Sequence, residues 1–146
     1  MKVLIIEDNP RLAGRMMQQL NKWYVVETAS SGEEGLQQIT NSPIDIVLLD
    51  LGLPDTSGLE VCKQIRRLNS DIPILVVTGN DKAESRVELL DSGADDYITK
   101  PFDSAELRSR INALARRRAR SNAIENIVVG DLIIDPAKRQ VTREGQ

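Results

Sequence analysis

The chain has 146 residues, of which 40% are apolar and 28% are charged, and its net charge is −3. This balance is typical of a globular domain and excludes a disordered or fibrous protein, and no apolar run approaches the roughly 20 residues that cross a bilayer. Histidine is absent and Cys62 is the single cysteine, which excludes Ser-His or Cys-His catalysis, histidine-ligated zinc and an internal disulfide, and predicts a cytoplasmic protein.

Short apolar runs alternate with amphipathic stretches over about the first 117 residues. Five of these runs are predicted to form strands, namely Val3–Ile6, Val25–Thr28, Ile44–Leu49, Ile74–Val77 and Tyr97–Thr99. The stretches between them predict helices near 10–22, 32–41, 58–68, 82–92 and 104–117. Because strand and helix alternate, the pattern predicts a (βα)5 α/β fold with a doubly wound parallel sheet.

The predicted helix starts carry recognisable capping signals. Four of them place a cap residue three positions before a glutamate, in the pairs Ser31 and Glu34, Ser57 and Glu60, Asp81 and Glu84, and Asp103 and Glu106. The remaining helix is predicted to begin at Pro10, after Asn9. Each start follows a predicted strand, which supports the (βα)5 interpretation.

The pattern changes after residue 117. Residues 101–120 carry six arginines against two acidic residues, a net charge of +4, whereas residues 1–100 carry 10 basic and 16 acidic residues, a net charge of −6. The basic segment is either a solvated helix end or a contact for DNA phosphates. Residues 118–126 are predicted to be a linker, and 127–134 and 139–143 to be strands, so that a short antiparallel β segment follows the parallel sheet.

Polar side chains follow four of the predicted strands. Glu7 and Asp8 follow the first strand, Asp50 the third, Thr78 the fourth and Lys100 the fifth. Since the sites of doubly wound sheets lie beyond the carboxyl ends of the strands, we expect these residues to form one site.

The chemistry of these residues points to phosphoryl transfer. Carboxylates that lie close together repel unless a cation joins them, so the three acidic residues predict a Mg²⁺ site, with Mn²⁺ as the alternative. The backbone carbonyl of Gly52 is a candidate further ligand. Thr78 adds a hydroxyl and Lys100 a point charge for phosphate. A nucleophilic carboxylate, a metal site, a hydroxyl and a cation are the groups that phosphoryl transfer requires.

The chain resembles a response-regulator receiver domain of bacterial two-component signalling over residues 1–117. The matching motifs are LIIED at 4–8, VLLDLGLP at 47–54, VVTG at 76–79 and GADDYITKPF at 93–102. The last motif and the tail are similar to the OmpR/PhoB subfamily, in which a receiver precedes a winged-helix DNA-binding domain. The resemblance implies a flavodoxin-like sheet of strand order 2-1-3-4-5. Residues 127–146 resemble the opening sheet of the effector domain, so most of that domain is expected to be missing here.

The resemblance also implies a role for each site residue. Asp50 is the phosphoacceptor for a cognate histidine kinase, and Thr78 and Lys100 contact the phosphoryl group. Tyr97 is the switch aromatic, and the peptide bond between Lys100 and Pro101 is cis. The metal ligands that the resemblance implies are Glu7, Asp8, Asp50 and the Gly52 carbonyl. The protein is thus expected to be a signalling switch and not an enzyme, beyond self-phosphorylation from small donors and autodephosphorylation.

Phosphorylation is expected to produce a homodimer through the fourth helix, fifth strand and fifth helix. The charged residues expected on this face are Lys82, Arg86, Asp91, Asp95, Asp96, Glu106, Arg110 and Arg117. A solvated face of mixed charge is the alternative. Transcription would be controlled by DNA binding through the effector domain of the full-length protein, and no membrane partner is expected.

Three other functions remain open from the sequence. Phosphatases with an aspartate nucleophile use parallel sheets, but Leu51-Gly52 follows Asp50 where their Asp-x-Asp motif requires a second aspartate. A flavin-binding module has the same architecture, but the loop Glu7-Asp8-Asn9-Pro10 would repel the flavin phosphate unless a metal intervened. A receiver-like adaptor that is never phosphorylated is the third possibility.

Overall fold

The structure is a computed structural model that describes residues 1–51, 57–69, 71–79, 87–88 and 90–134, with residues 121–134 described by their backbone alone. The chain divides into two compact units, Met1–Ala115 and Arg116–Gln146. The first unit contains the whole sheet and the strand ends at which the sequence predicts the site.

Five strands form one sheet in the order β2-β1-β3-β4-β5, and every neighbouring pair is parallel. The strands are β1 (Lys2–Ile6), β2 (Val25–Ala29), β3 (Ile46–Asp50), β4 (Ile74–Thr78) and β5 (Asp96–Thr99). The predicted α/β fold and its strand order are therefore confirmed.

Helices cover both faces of this sheet. They are α1 (Pro10–Leu20), α2 (Gly32–Asn41), α3 (Gly58–Leu68) and the C-terminal helix (Ser104–Ile134). Of the helix predicted near 82–92, residues 87–88 and 90–91 are helical, while 82–86 and 89 lie outside the described residues. No helix in the described part of the chain is both long enough and apolar enough to span a bilayer.

The capping signals in the sequence correspond to hydrogen bonds in the structure. The Asn9 side chain accepts hydrogen bonds from the N–H groups of Arg11 and Leu12, ahead of Pro10. In three of the four predicted boxes the cap side chain accepts from the glutamate N–H, at 3.1 Å for Ser31–Glu34, 3.2 Å for Ser57–Glu60 and 2.7 Å for Asp103–Glu106. The fourth box, at Asp81, lies outside the described residues. These caps satisfy N–H groups that a helix start leaves without partners.

Two apolar clusters, one on each face of the sheet, make the core. On β1, Leu4 and Ile6 belong to the cluster under α2 and α3, whereas Val3 and Ile5 belong to the cluster under α1 and the C-terminal helix. All four side chains are at most 1% exposed. Burial on both faces explains the near-continuous apolar runs from which the strands were predicted, because each fully buried side chain contributes about 1.5–3 kcal/mol.

The C-terminal helix is longer than the sequence predicts. It continues through Ile134, so the linker expected at 118–126 and the strand expected at 127–134 are helical instead, while the strand expected at 139–143 lies outside the described residues. A strand needs neighbours to satisfy its backbone, and two strands alone are marginal in water. An established helix gains one hydrogen bond for each residue added, which outweighs the β propensity of Ile127, Val128 and Val129.

Arg66 ties together three elements at the amino edge of the sheet. From α3, its guanidinium donates to the carbonyl of Gly93, to that of Ile72 and to the Asp95 carboxylate, with a distance of 2.6 Å in the last case. Asp95 also accepts from the N–H of Ile74, the first residue of β4, at 2.8 Å. Gly93 has a φ of +112°. The start of β4 and the turn before β5 are therefore held to α3 by one arginine.

Replacing Gly93 with alanine is expected to lower the free energy of unfolding by about 1–3 kcal/mol, because L-residues strongly disfavour this φ. The added Cβ would also lie 2.8 Å from Cγ of Arg66. Urea denaturation measures the change. Gly14→Ala is the matched control. Its Cβ meets nothing within 4 Å on helix α1, and it should stabilise the protein by about 0.5–1 kcal/mol. Equal stability of the two variants would contradict this account of the turn.

Candidate functional site

The carboxyl ends of four strands bring the predicted site residues to one edge of the sheet. Asp50 ends β3 and Thr78 ends β4, while Glu7 follows β1 and Lys100 follows β5 directly. Two backbone hydrogen bonds extend the sheet beyond the strands, from Glu7 N to Ala29 O (2.9 Å) and from Lys100 N to Thr78 O (2.7 Å). The backbone at Glu7 and Lys100 is thus fixed to the neighbouring strand in each case.

Glu7, Asp8 and Asp50 converge on one point. Each offers a carboxylate oxygen, and these oxygens lie within 4.8 Å of one another. Glu7 is 4% exposed and the Asp50 side chain 12% exposed, whereas Asp8 faces solvent. Three acidic groups at this separation, two of them largely removed from water, repel one another strongly unless positive charge is present.

Lys100 supplies positive charge to this cluster. Its Nζ lies 3.1 Å from Oδ1 of Asp50, within hydrogen-bonding distance, and 3.8 Å from Oε1 of Glu7. The lysine side chain is 32% exposed. One ammonium group therefore sits between two carboxylates, which leaves one net negative charge on this trio when all three groups are ionised, and a second when Asp8 is counted.

The pKa of Glu7 is raised by its position in this cluster. Burial raises the pKa of Glu7 to about 7, with a further contribution from the Asp50 carboxylate, while the Asn9 N–H and the Lys100 ammonium oppose the rise. The Asn9 N–H donates to Oε2 of Glu7 at 3.2 Å. Oε1 is buried and, among the described residues, has no hydrogen-bond partner. A buried carboxylate oxygen without a partner is costly, and a ligand at the site would relieve that cost.

The cluster fits a hard divalent cation. Carboxylate oxygens are the preferred ligands of Mg²⁺ and Mn²⁺, and the unpartnered oxygen of Glu7 is positioned to become one. Gly52, whose carbonyl is a predicted ligand, lies outside the described residues. The structure therefore brings the side chains of Glu7, Asp8 and Asp50 close to one another. The Gly52 carbonyl stays a predicted ligand.

Thr78 and Tyr97 lie on neighbouring strands beside the carboxylates. Thr78 is 4% exposed at the end of β4. Tyr97 is half-buried and packs against the apolar cluster that contains Leu4 and Val76. A Cβ built on Gly79 would meet nothing within 4 Å, so the backbone after Thr78 is open to a ligand. The peptide bond between Lys100 and Pro101 is cis, as the family resemblance implies.

Two residues shape the site in ways that the sequence analysis did not identify. Asn9 was assigned as a helix cap alone, yet its N–H also holds Glu7. Gly58, at the start of α3, donates its N–H to the carbonyl of Leu51 at 3.2 Å. A Cβ at Gly58 would lie 2.8 Å from Cα of Leu51 and 3.2 Å from the carbonyl oxygen of Asp50. The glycine lets α3 approach the backbone at Asp50, and the Ser57-Gly58 pair at a helix start was the available signal.

Cavities near and far from the cluster differ in character. One of about 290 Å³ lies along α1 and is lined in part by Glu7 and Asp8. Its lining comprises Glu7, Asp8, Pro10, Ala13, Gly14, Met17, Thr28, Ala29 and Ser30. A larger cavity, about 740 Å³, lies between α2 and α3. It contains none of the predicted site residues, so chemistry rather than size identifies the site.

The charged face predicted for dimerisation is partly engaged within the chain. Asp95 binds Arg66, as described above. Arg110 binds Asp96 at 3.0 Å and Glu106 at 3.2 Å. Asp91 and Arg117 are exposed, and Lys82 and Arg86 lie outside the described residues. Val87 and Leu90 add exposed apolar surface, at 58% and 49%.

Comparison with known proteins places these features in a family. The family model described as "Response regulator receiver domain" matches residues 3–112. The protein "Response regulator MprA" of Mycobacterium leprae is 40% identical over 146 residues, which is 98% of this chain and 64% of the relative. The chain thus spans slightly less than two thirds of the length of this relative.

Solved structures are similar over the sheet and its helices. A CheY-like receiver domain protein from Methanospirillum hungatei superposes with a TM-score of 0.78 at 30% identity, covering 82% of this chain and 97% of that one. The receiver domain of a Francisella response regulator superposes with a TM-score of 0.75 at 32% identity, covering 80% and 97%. The predicted resemblance is confirmed at the level of sequence and of fold.

Proposed function

Because the chain belongs to the response regulator receiver domain family, we propose that Asp50 accepts a phosphoryl group and that the resulting charge switches the conformation of the domain. The observation that carries this proposal is the position of Asp50, largely buried at a strand end, 3.1 Å from Lys100 and within 4.8 Å of two further carboxylates. Receiver domains act as signalling switches rather than as conventional enzymes.

The chemistry proposed at Asp50 is a single displacement at phosphorus. A carboxylate oxygen of Asp50 forms the new P–O bond, and the bond to the donor breaks with its electron pair leaving on the donor, an imidazole nitrogen of a histidine kinase or the oxygen of acetyl phosphate. Mg²⁺ held by Glu7, Asp8 and Asp50 would neutralise charge on the phosphoryl oxygens. Lys100 stabilises the same charge, so positioning and electrostatics carry the reaction.

Acetyl phosphate tests the proposal directly, because it requires no partner protein. Treatment in the presence of Mg²⁺ should add one phosphoryl group to the wild-type chain and none to Asp50→Ala. A modification that persists in the variant would move the phosphoacceptor to another residue.

Replacing Lys100 with methionine is expected to slow modification by acetyl phosphate about 10²–10³-fold, the usual cost of removing one group that stabilises transition-state charge. Methionine keeps most of the side-chain volume but leaves Asp50 without its ammonium partner. Initial rates followed by intact-protein mass spectrometry measure the effect. Lys63→Met, an exposed lysine on α3, is the matched control and should react at the wild-type rate. Equal rates for the two variants would remove Lys100 from the mechanism.

The switch is proposed to pass from Thr78 to Tyr97. Phosphorylation adds about −2 charge at Asp50, and the Thr78 hydroxyl is proposed to turn towards the new oxygens. Tyr97, half-buried on the neighbouring strand, would then move inward. Such coupling is typically worth about 1–3 kcal/mol. This is enough to shift the equilibrium between two conformations of the surface formed by β5 and the helices beside it.

That surface is proposed to form a homodimer of the phosphorylated protein. Val87 and Leu90 provide exposed apolar area, and Asp96, Glu106 and Arg110 already form a chain of ion pairs that a second copy could extend or exchange. The proposed partners are a cognate histidine kinase, a second copy and, through an OmpR/PhoB-type effector domain in the full-length protein, DNA. The protein is proposed to act in the cytoplasm.

Beryllofluoride with Mg²⁺, which mimics the phosphoryl group, is expected to shift the chain from monomer to dimer in sedimentation velocity. Val87→Glu should prevent the shift, because it places charge in the apolar part of the interface. Leu68→Glu is the matched control, since Leu68 is 52% exposed on α3, and this variant should still dimerise. A monomer up to high concentration with and without beryllofluoride would contradict the dimer proposal.

A further inference from the structure

An arginine run in the C-terminal helix lies outside the phosphoryl-transfer site, and of its members Arg117 alone is also expected on the dimer face. Arg116, Arg117, Arg118 and Arg120 are four of five successive residues, and no acidic residue occurs between Glu106 and Glu125. The rest of the chain is acidic, since the net charge of the protein is −3. Positive charge is therefore concentrated in one short segment.

The helix presents three of these arginines to solvent on one side. Arg116, Arg117 and Arg120 are exposed. At 3.6 residues per turn they fall within an arc of about 100°, and Arg116 and Arg120 are about 6 Å apart along the axis. Within the described part of the chain, the ion pairs of Arg66, Arg67 and Arg110 involve none of these three residues. The three guanidinium groups thus form a compact basic stripe.

This stripe has an electrostatic cost within the helix. Arg116 and Arg120 are four residues apart, and Arg117 and Arg120 three apart, spacings at which like charges repel by about 0.2–0.5 kcal/mol for each pair. A polyanion laid along the stripe would remove that repulsion. Arginine also matches phosphate geometry through paired N–H donors, which lysine does not.

The composition around the stripe favours nucleic acid over a membrane surface. A helix that lies on a membrane needs a free face of large apolar residues. Between residues 112 and 120 the apolar residues are Leu114 and three alanines, and Leu114 is already buried in the core. Within residues 112–120 the helix therefore offers charge without an apolar face to insert. Further apolar residues of the helix, among them Ile127, Val128 and Val129, follow the stripe along the chain, and the vesicle measurement below separates the two kinds of surface.

We propose that Arg116, Arg117 and Arg120 bind the phosphates of duplex DNA without reading its sequence. The contact would add affinity for DNA independently of any base-reading domain. It is separate from the chemistry at Asp50, so Asp50→Ala should bind DNA as the wild type does.

Fluorescence anisotropy of a labelled DNA duplex with the full chain tests this contact. Three phosphate contacts predict that affinity falls about 40-fold between about 50 and 200 mM salt, with a log–log slope near −3. The triple variant R116Q/R117Q/R120Q should lose about three units of slope, because each lost phosphate contact removes about one. Glutamine is a good helix former, and circular dichroism will verify that the helix is retained.

A second triple variant separates a local contact from net charge. R11Q/R15Q/K22Q removes the same charge from exposed positions in and just after α1 and should keep the wild-type slope. An equal loss in both triple variants, or no binding of the wild type at the lowest salt, would overturn the proposal. Binding to phosphatidylserine vesicles but not to DNA, abolished by R116Q/R117Q/R120Q, would also overturn it and assign the stripe to a membrane surface.

Discussion

Asp50→Ala is expected to remain unmodified by acetyl phosphate and Mg²⁺ while the wild-type chain gains one phosphoryl group. Deleting the nucleophile of a covalent mechanism costs on the order of 10³-fold or more in rate, and alanine has no oxygen that could replace the carboxylate. Intact-protein mass spectrometry resolves the two outcomes. The fold should survive, because the substitution removes one of three mutually repelling carboxylates from a largely buried position.

The control for this experiment is a carboxylate on the same protein outside the site. Asp71 is exposed in the turn before β4, and Asp71→Ala should be modified at the wild-type rate. Asp50→Asn adds a second test, because the amide preserves the shape of the side chain but is a far weaker nucleophile. Modification of Asp50→Asn at the wild-type rate would show that another residue accepts the phosphoryl group.

Most of the site could be predicted from the sequence because its position depends on topology. Apolar runs such as Val47–Leu49 identify strands buried on both faces, and parallel strands bring their carboxyl ends to one edge. Asp50 and Lys100 were placed there by this rule, and in the structure they are 3.1 Å apart. What the rule cannot give is the difference in burial between Glu7, which is 4% exposed, and its exposed neighbour Asp8. The rule therefore does not give the raised pKa of Glu7, whose first cause is burial.

The features that sequence did not predict depend on long-range contacts. The family resemblance places Asp95 and Asp96 together on the expected dimer face. The structure shows in addition that Asp95 binds Arg66, 29 residues away, whereas Asp96 binds Arg110. These partners depend on which elements the fold brings together. The helix at 127–134 differs from the predicted strand for a related reason, since β propensity has no effect where a strand lacks a neighbour.

Removing Mg²⁺ with EDTA is expected to slow modification by acetyl phosphate by about 10³-fold, since a metal ion supplies several kcal/mol of transition-state charge stabilisation. Without it, Lys100 is the one cation opposite Glu7, Asp8 and Asp50 within the described part of the site. Restoring excess Mg²⁺ should restore the rate. The double variant E7Q/D8N should react slowly with or without the metal. The control D71N/E88Q, which changes two exposed acidic residues, should respond to Mg²⁺ as the wild type does. Full activity in EDTA would exclude the metal from the mechanism.

The affinity for Mg²⁺ should also depend on pH through Glu7. The pKa of Glu7 is raised to about 7 by burial and by Asp50, and a metal ligand must be deprotonated, so below that pH binding must first release a proton. Apparent affinity should therefore fall about tenfold for each unit of pH well below 7 and level off above about 8. Calorimetry at pH values on both sides of 7, in buffers of different ionisation enthalpy, measures both the affinity and the proton released. In Glu7→Gln the affinity should be weaker and this proton release should disappear. A wild-type affinity that is flat between pH 6 and pH 8 would mean that Glu7 is already ionised over this range in the metal-free protein. The metal would then displace no proton from Glu7, and this account of the pH dependence would be wrong.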